Sequence, residues 1–103
     1  MILLRVPFLW VDGMALFPFV LVKKAQPPAW LLNHERIHLR QQLELGLLIF
    51  YVWYALEFLV HWFKYRNRTL AYRRISFERE AYQNDENLCY LKDRKLWAFL
   101  GYV

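Results

Sequence analysis

The sequence predicts a mainly helical α+β fold: about three helices behind a short N-terminal β-hairpin or edge strand. Three observations lead there. Residues 15–24 are rich in β-branched and aromatic side chains. A proline pair, Pro27-Pro28, precedes a long run with apolar positions at helical spacing. Two further runs, starting after Gly46 and at Ser76, carry helical patterns of their own. At 103 residues the chain suits one domain over residues 1–103. Its apolar fraction of 58% and aromatic fraction of 19% are too high for a disordered segment.

The first segment, about Leu3 to Lys24, holds two apolar stretches divided by Val11-Asp12-Gly13, which reads as a turn. The second stretch, Ala15 to Lys24, reads as a strand. Pro18 lacks a ladder donor and so places that strand at a sheet edge, with Phe17, Phe19 and Leu21 as candidates to receive an extended peptide. Lys23 to Pro28 reads as a turn, and the proline pair leads into a helix from Ala29 to about Leu45, which Gly46 ends or bends. A second, strongly apolar helix runs from there to about Tyr65. Leu70 to Ile75 reads as a basic connection, and a third helix starts at Ser76, a suitable N-cap residue. Asn84-Asp85-Glu86-Asn87 interrupts it, because short polar side chains compete for local backbone groups. The apolar tail, Leu96 to Leu100, is expected to dock.

The lone cysteine, Cys89, rules out an internal disulfide framework and a cysteine-rich zinc knuckle. A net charge of +5 suits an anionic partner, but the basic residues are scattered among structural aromatics, and nucleic acid is the weaker reading. No secretory leader is read in the opening residues. Residues 45–63, LGLLIFYVWYALEFLVHWF, approach the length of a membrane span and precede Lys64, Arg66 and Arg68. Glu57 and His61 argue against a crossing helix, so the reading favours a cytoplasmic or peripherally membrane-associated chain over an integral one. A homo-oligomer or a partner chain is the other way to cover that helix.

The motif with chemical content is His34-Glu35-Arg36-Ile37-His38. On a helix, positions i and i+4 share a face, so the two imidazoles can reach one ion while the adjacent glutamate reaches a water on it. A catalytic zinc takes three protein ligands and keeps one position open. Glu78 is the preferred third ligand. Ala81, three residues on, lets its helix approach the first closely, Phe77 anchors it, and Glu80 points about 200° away. His61 and Glu44 remain weaker alternatives. Apolar side chains at Phe17, Phe19, Trp30 and Leu31 would favour hydrophobic substrate groups.

His34 to His38, followed by Glu78 with Ala81 three residues on, resembles the gluzincin metallopeptidases, in particular the minimal gluzincins and the peptidase cores of the CAAX-prenyl and beta-lactam-sensing receptor proteases. The resemblance implies a minimal zincin-like fold and Zn2+ as cofactor. It implies a peptide or protein substrate, His34, His38 and Glu78 as ligands, and Glu35 as the base that activates the zinc-bound water. Where membrane relatives commonly have an aspartate after the alanine, this chain has Tyr82, which removes a carboxylate expected behind the ligands. Tyr82 and Tyr72 are the candidates for a supporting contact or an oxyanion donor. The alternative function is a non-catalytic or membrane-associated interaction module, with or without a structural zinc.

Overall fold

The computed structural model describes residues 2–103. It is an α+β fold dominated by helices: five α-helices, a final 3-10 turn and a small mixed sheet of three strands. The strands are β1 (Ile2–Arg5), β2 (Gly13–Leu16) and β3 (Phe19–Val22), in the order β1-β3-β2. β3 runs parallel to β1 and antiparallel to β2.

This corrects the strand expected over residues 15–24. A turn at Phe17-Pro18, whose peptide bond is cis, divides it into β2 and β3. Phe17 therefore sits in the turn, while Phe19 and Leu21 belong to the central strand and have ladder partners on both sides. Proline's missing donor is accommodated at the turn and not along an edge strand. The edge beside the helices is β2. Ala15, Val20 and Val22 bury the inner face of the sheet against Leu39 and Leu32.

Helix α1 (Ala29–Leu45) starts directly after Pro28, as a proline-led helix does. It stops at Gly46, whose φ of 82° is open to glycine and costly for other residues. The Gly46 amide closes α1 by donating to Gln42 O, and its carbonyl accepts from Phe50 N to open α2 (Leu47–Tyr65). A single glycine thus turns the chain from one long helix into the next. By length and composition α2 is apolar enough to cross a membrane, yet Phe50 is its only fully buried residue.

Two further differences concern the junction after α2. Leu70 to Ile75, expected as a connection, lies largely in helix α3 (Arg68–Arg74), whose N-cap Asn67 accepts from Leu70 N through its side chain. Ala71, fully buried, lets this short helix pack tightly. Helix α4 (Ser76–Asn84) contains Ser76, but Ser76 is no cap. Its hydroxyl and amide both donate to the Glu57 carboxylate on α2. The helical path breaks off after Asn84, over residues 85–89, before α5 (Tyr90–Asp93), and the 3-10 turn Ala98–Tyr102 docks through fully buried Phe99.

The main core joins Leu45, Phe50, Ile75, Phe77 and Phe99, with Trp53, Tyr54 and Phe58 against it. Burying a side chain such as Phe77 is worth roughly 1.5–3 kcal/mol. This cluster holds α1, α2 and α4 together and so brings the α1 histidines to the start of α4.

Candidate metal centre

Helical spacing places the His34 and His38 rings edge-to-face, with centroids 4.9 Å apart. Packing of α4 on α1, with Phe77 and Ala81 at 0% exposure between them, then delivers Glu78 to both rings. Glu78 Oε1 lies 3.1 Å from His34 Nε2 and 3.1 Å from His38 Nε2. All three side chains are buried. Ligand atoms about 2.0–2.2 Å from a tetrahedral ion stand about 3.3–3.5 Å apart. The two histidine-to-glutamate separations are within a few tenths of an ångström of that, and all three donor atoms lie within 4.8 Å of one another, so His34, His38 and Glu78 form a cluster capable of coordinating a metal ion.

The other ring nitrogens strengthen the fit. His34 Nδ1 faces Asp85 Oδ2 at 3.0 Å, and His38 Nδ1 faces Gln41 Oε1 at 2.8 Å. Asp85 can only accept. The Gln41 amide is oriented because its Nε2 donates to Phe77 O and Glu80 Oε1. Both imidazoles therefore carry a proton on Nδ1 and, when neutral, turn the Nε2 lone pair towards the same carboxylate oxygen. Acceptors converge there, and a cation satisfies all of them. Glu78 is held in this attitude by Tyr54, whose hydroxyl donates to Oε2 at 2.7 Å and leaves Oε1 for the histidines.

Protonation is the alternative way to satisfy the cluster. Burial disfavours a charged His38, but the Glu78 carboxylate and its hydrogen bond prevail, with Glu35 helping, and push the imidazole up to about 9. Burial likewise opposes an ionised Glu78, yet His38 and His34 hold its carboxyl well below the usual carboxylate range.

Glu35 projects beside the cluster and is itself buried, at 5% exposure. Burial pushes its carboxyl up, against the pull of His38 and His34 and with a smaller push from Glu78. Among the described residues its side chain has no hydrogen-bond partner; it faces open space on two sides. One cavity, about 230 Å³, is lined by Trp10, Met14, Phe50, Tyr51 and Tyr54, with His38 and Glu78 on its polar wall. A second, about 300 Å³, is lined by Trp30, Leu31, His34, Tyr82 and Asp12. Val11, Gly13, Glu35 and Tyr72 line both, so the two cavities adjoin, with Glu35 on the wall of each, and together they are the cleft beside the cluster. Gly13 permits the approach of β2, because a β-carbon there would lie 3.2 Å from Glu35 Oε2.

The remaining candidates separate. Tyr72 is in the cleft, and burial together with Glu78 pushes its phenol up, so it keeps its proton and remains a donor. The Tyr82 ring packs edge-on against His34 at 4.5 Å, and its hydroxyl is 3.5 Å from that of Tyr72. Glu80 and Glu44 are committed to Arg94, and His61 lies near Glu57. Of the four apolar residues named from the sequence, Trp30 and Leu31 line the cleft, but Phe17 faces a different cavity beside Arg36 and Leu88, and Phe19 lines neither wall of the cleft.

The edge expected to receive substrate is also redistributed. Ladder bonds fall on the Leu16/Phe19 and Met14/Leu21 pairs flanking the two-residue turn, and Lys23 N donating to Asp12 O continues that alternation. Gly13 and Ala15 consequently face outward. At Ala15 the edge is occupied, because its carbonyl accepts from Gln42 Nε2 and the Tyr51 hydroxyl, and Gln42 Oε1 accepts from Phe17 N. Gly13 remains open beside Glu35.

The sequence reading did not single out Asp85, Gln41, Tyr54 or Asn33 for the site. Asp85, three residues after Tyr82, places a carboxylate against His34 Nδ1. Asn33 pins its loop by donating to the carbonyls of Asn84, Asp85 and Asn87. Gln41, three residues after His38, shares its helical face and was legible as a neighbour. Comparison with known families, curated proteins and solved structures returns no match. The functional reading therefore rests on these residues.

Proposed function

We propose that this chain is a zinc-dependent hydrolase of peptide bonds, built as a minimal zincin-like fold and related in design to the gluzincins. The observation that carries the proposal is the Glu35 carboxylate: buried, unpartnered among the described residues, and open to a cleft directly beside His34, His38 and Glu78. A structural zinc site is closed by four protein ligands, whereas three donors beside an open cleft match the catalytic pattern.

Zn2+ held by these three residues supplies Lewis acidity, polarising a carbonyl and acidifying water. The protein does the rest. Glu35 accepts the proton of the attacking water and passes it to the leaving amine, a role suited to a carboxyl raised by burial. Tyr72, kept protonated, donates to the developing oxyanion, and Tyr82 steadies it from behind His34. The outward N–H and C=O of Gly13 pair with an extended substrate, and the cavity under Trp10 and Tyr51 accepts an apolar side chain.

The test is cleavage of a peptide library, read by mass spectrometry, with the wild-type chain and Glu35→Gln. The wild type is expected to cleave. Glu35→Gln is expected to retain zinc and lose activity by roughly 10²–10⁴-fold, the range of a positioned general base. Equal cleavage by the two proteins refutes the assignment of Glu35. Zinc-loaded wild type that cleaves nothing refutes the enzyme and leaves a metal-binding interaction module.

A further inference from the structure

Helix α2 has two opposite faces. Phe50, Trp53, Tyr54, Glu57 and Phe58 face the core and the metal-ligand cluster. The other face carries Leu48, Val52, Leu56, Leu59, Val60 and Phe63, between 47% and 79% exposed, at spacings of three and four along the helix. Exposure of this many large apolar side chains on one stripe marks a contact surface. At its C-terminal end the stripe meets a basic group. Arg66 lies 5.4 Å from the Phe63 ring, Arg74 lies 5.6 Å from the Tyr65 ring, and Lys64, Arg68 and Arg73 are exposed along the same stretch of chain, Arg73 with its guanidinium 3.9 Å from the Tyr82 ring. Among the described residues no carboxylate lies within 4 Å of any of these five cations.

We propose that α2 docks this face onto an anionic lipid bilayer, lying in the plane of the interface with the apolar stripe among the acyl chains and the basic group at the headgroups. Charge selects this occupant. Anionic headgroups neutralise the five cations, whereas a second copy of a chain with net charge +5 adds to them. The same residues oppose a crossing orientation. α3 packs along α2 and would carry Arg68, Arg73 and Arg74 into the hydrocarbon, and Glu57 and the Glu78 cluster on the opposite face would follow. An in-plane helix leaves the cleft in water. The groove of Trp53, Leu56, Val60 and Val103 extends the apolar surface towards the C-terminal turn.

The test is co-sedimentation of the whole purified chain with vesicles of phosphatidylcholine alone or mixed with phosphatidylglycerol, together with zinc content and circular dichroism. Binding to the mixed vesicles is expected to exceed binding to the neutral ones and to fall with salt. Arg66→Gln and Lys64→Gln should each weaken it on the order of fivefold. Leu56→Glu with Val60→Glu should weaken it on the order of tenfold or more, with zinc content and helicity unchanged because both positions are exposed. Absence of binding to anionic vesicles overturns the proposal. So does protein that resists an alkaline carbonate wash, which indicates crossing, or a stable homodimer that Leu56→Glu with Val60→Glu dissociates while Arg66→Gln and Lys64→Gln leave vesicle binding unchanged.

Discussion

Replacing Asp85 with alanine probes the metal centre without touching a ligand. Among the described residues the Asp85 carboxylate has one hydrogen-bond partner, His34 Nδ1 at 3.0 Å, in surroundings that leave its side chain 9% exposed. Removing a carboxylate that orients a ligand histidine typically weakens metal binding 10–100-fold, about 1.4–2.7 kcal/mol. The loop itself should survive, because Asn33 holds it through backbone carbonyls that the substitution leaves in place. Competition titration with a chromophoric zinc chelator gives the dissociation constant. A double-mutant cycle makes the reasoning strict: if Asp85 works through His34, then Asp85→Ala should change the affinity of His34→Ala by no more than about twofold. The account is refuted if Asp85→Ala alone binds zinc within about twofold of wild type. It is also refuted if the substitution weakens His34→Ala by the full factor.

Other consequences follow from the same geometry. Gly13→Val puts a β-carbon 3.2 Å from Glu35 Oε2, and displacing that carboxylate should lower kcat/KM on the order of a hundredfold while zinc content stays at wild type. A zinc ion bound at His38 must displace its proton, held at about 9, so affinity should rise with pH, by about fiftyfold from pH 7 to 9, in the chelator titration. Without metal, the raised His38 value means that its pairing stabilises the fold fully below the unfolded value of about 6.5, and that this is lost as pH rises through 9. Glu78, depressed, contributes above the unfolded value of about 4.3 and loses that contribution on acidification. Thermal melting of the chelator-treated chain should therefore show its highest midpoint between these limits. Arg94→Ala leaves Glu44 and Glu80 buried without their cation and should cost on the order of 3 kcal/mol in denaturant unfolding. Through Glu80 and Gln41 it should also loosen the His38 contact and weaken zinc binding.

The parts legible in the sequence were those set by local chemistry. Pro28 and Gly46 delimit α1 because proline favours a helix start and a positive φ favours glycine, and both are read one residue at a time. The spacing of His34 and His38 fixes their common face for the same reason. Glu78 was separable from Glu80 because two residues on a helix point apart, and the structure sends Glu78 to the histidines and Glu80 to Arg94 and Gln41. Long-range pairing was not legible. Pro18 marked the position of the break, but its missing donor fitted an edge strand as well as a turn, and the choice depended on how β2 and β3 fold back on one another. α3 was hidden by its three arginines and Thr69 around a single buried Ala71. Asp85 was read as a helix breaker, and only the packing of its loop on Asn33 turns it towards His34. Tyr54 looked like one more aromatic on an apolar helix, and its bond to Glu78 spans 24 residues.

The central claim is that His34, His38 and Glu78 hold one zinc ion. Its most direct test is a crystal structure of the zinc-loaded chain with the metal located by anomalous scattering at the zinc edge. The account predicts a single peak about 2.0–2.2 Å from His34 Nε2, His38 Nε2 and a Glu78 carboxylate oxygen, with Nδ1 of each histidine still on Asp85 and Gln41. No peak among these three residues, or full zinc retention in Glu78→Gln, would contradict it.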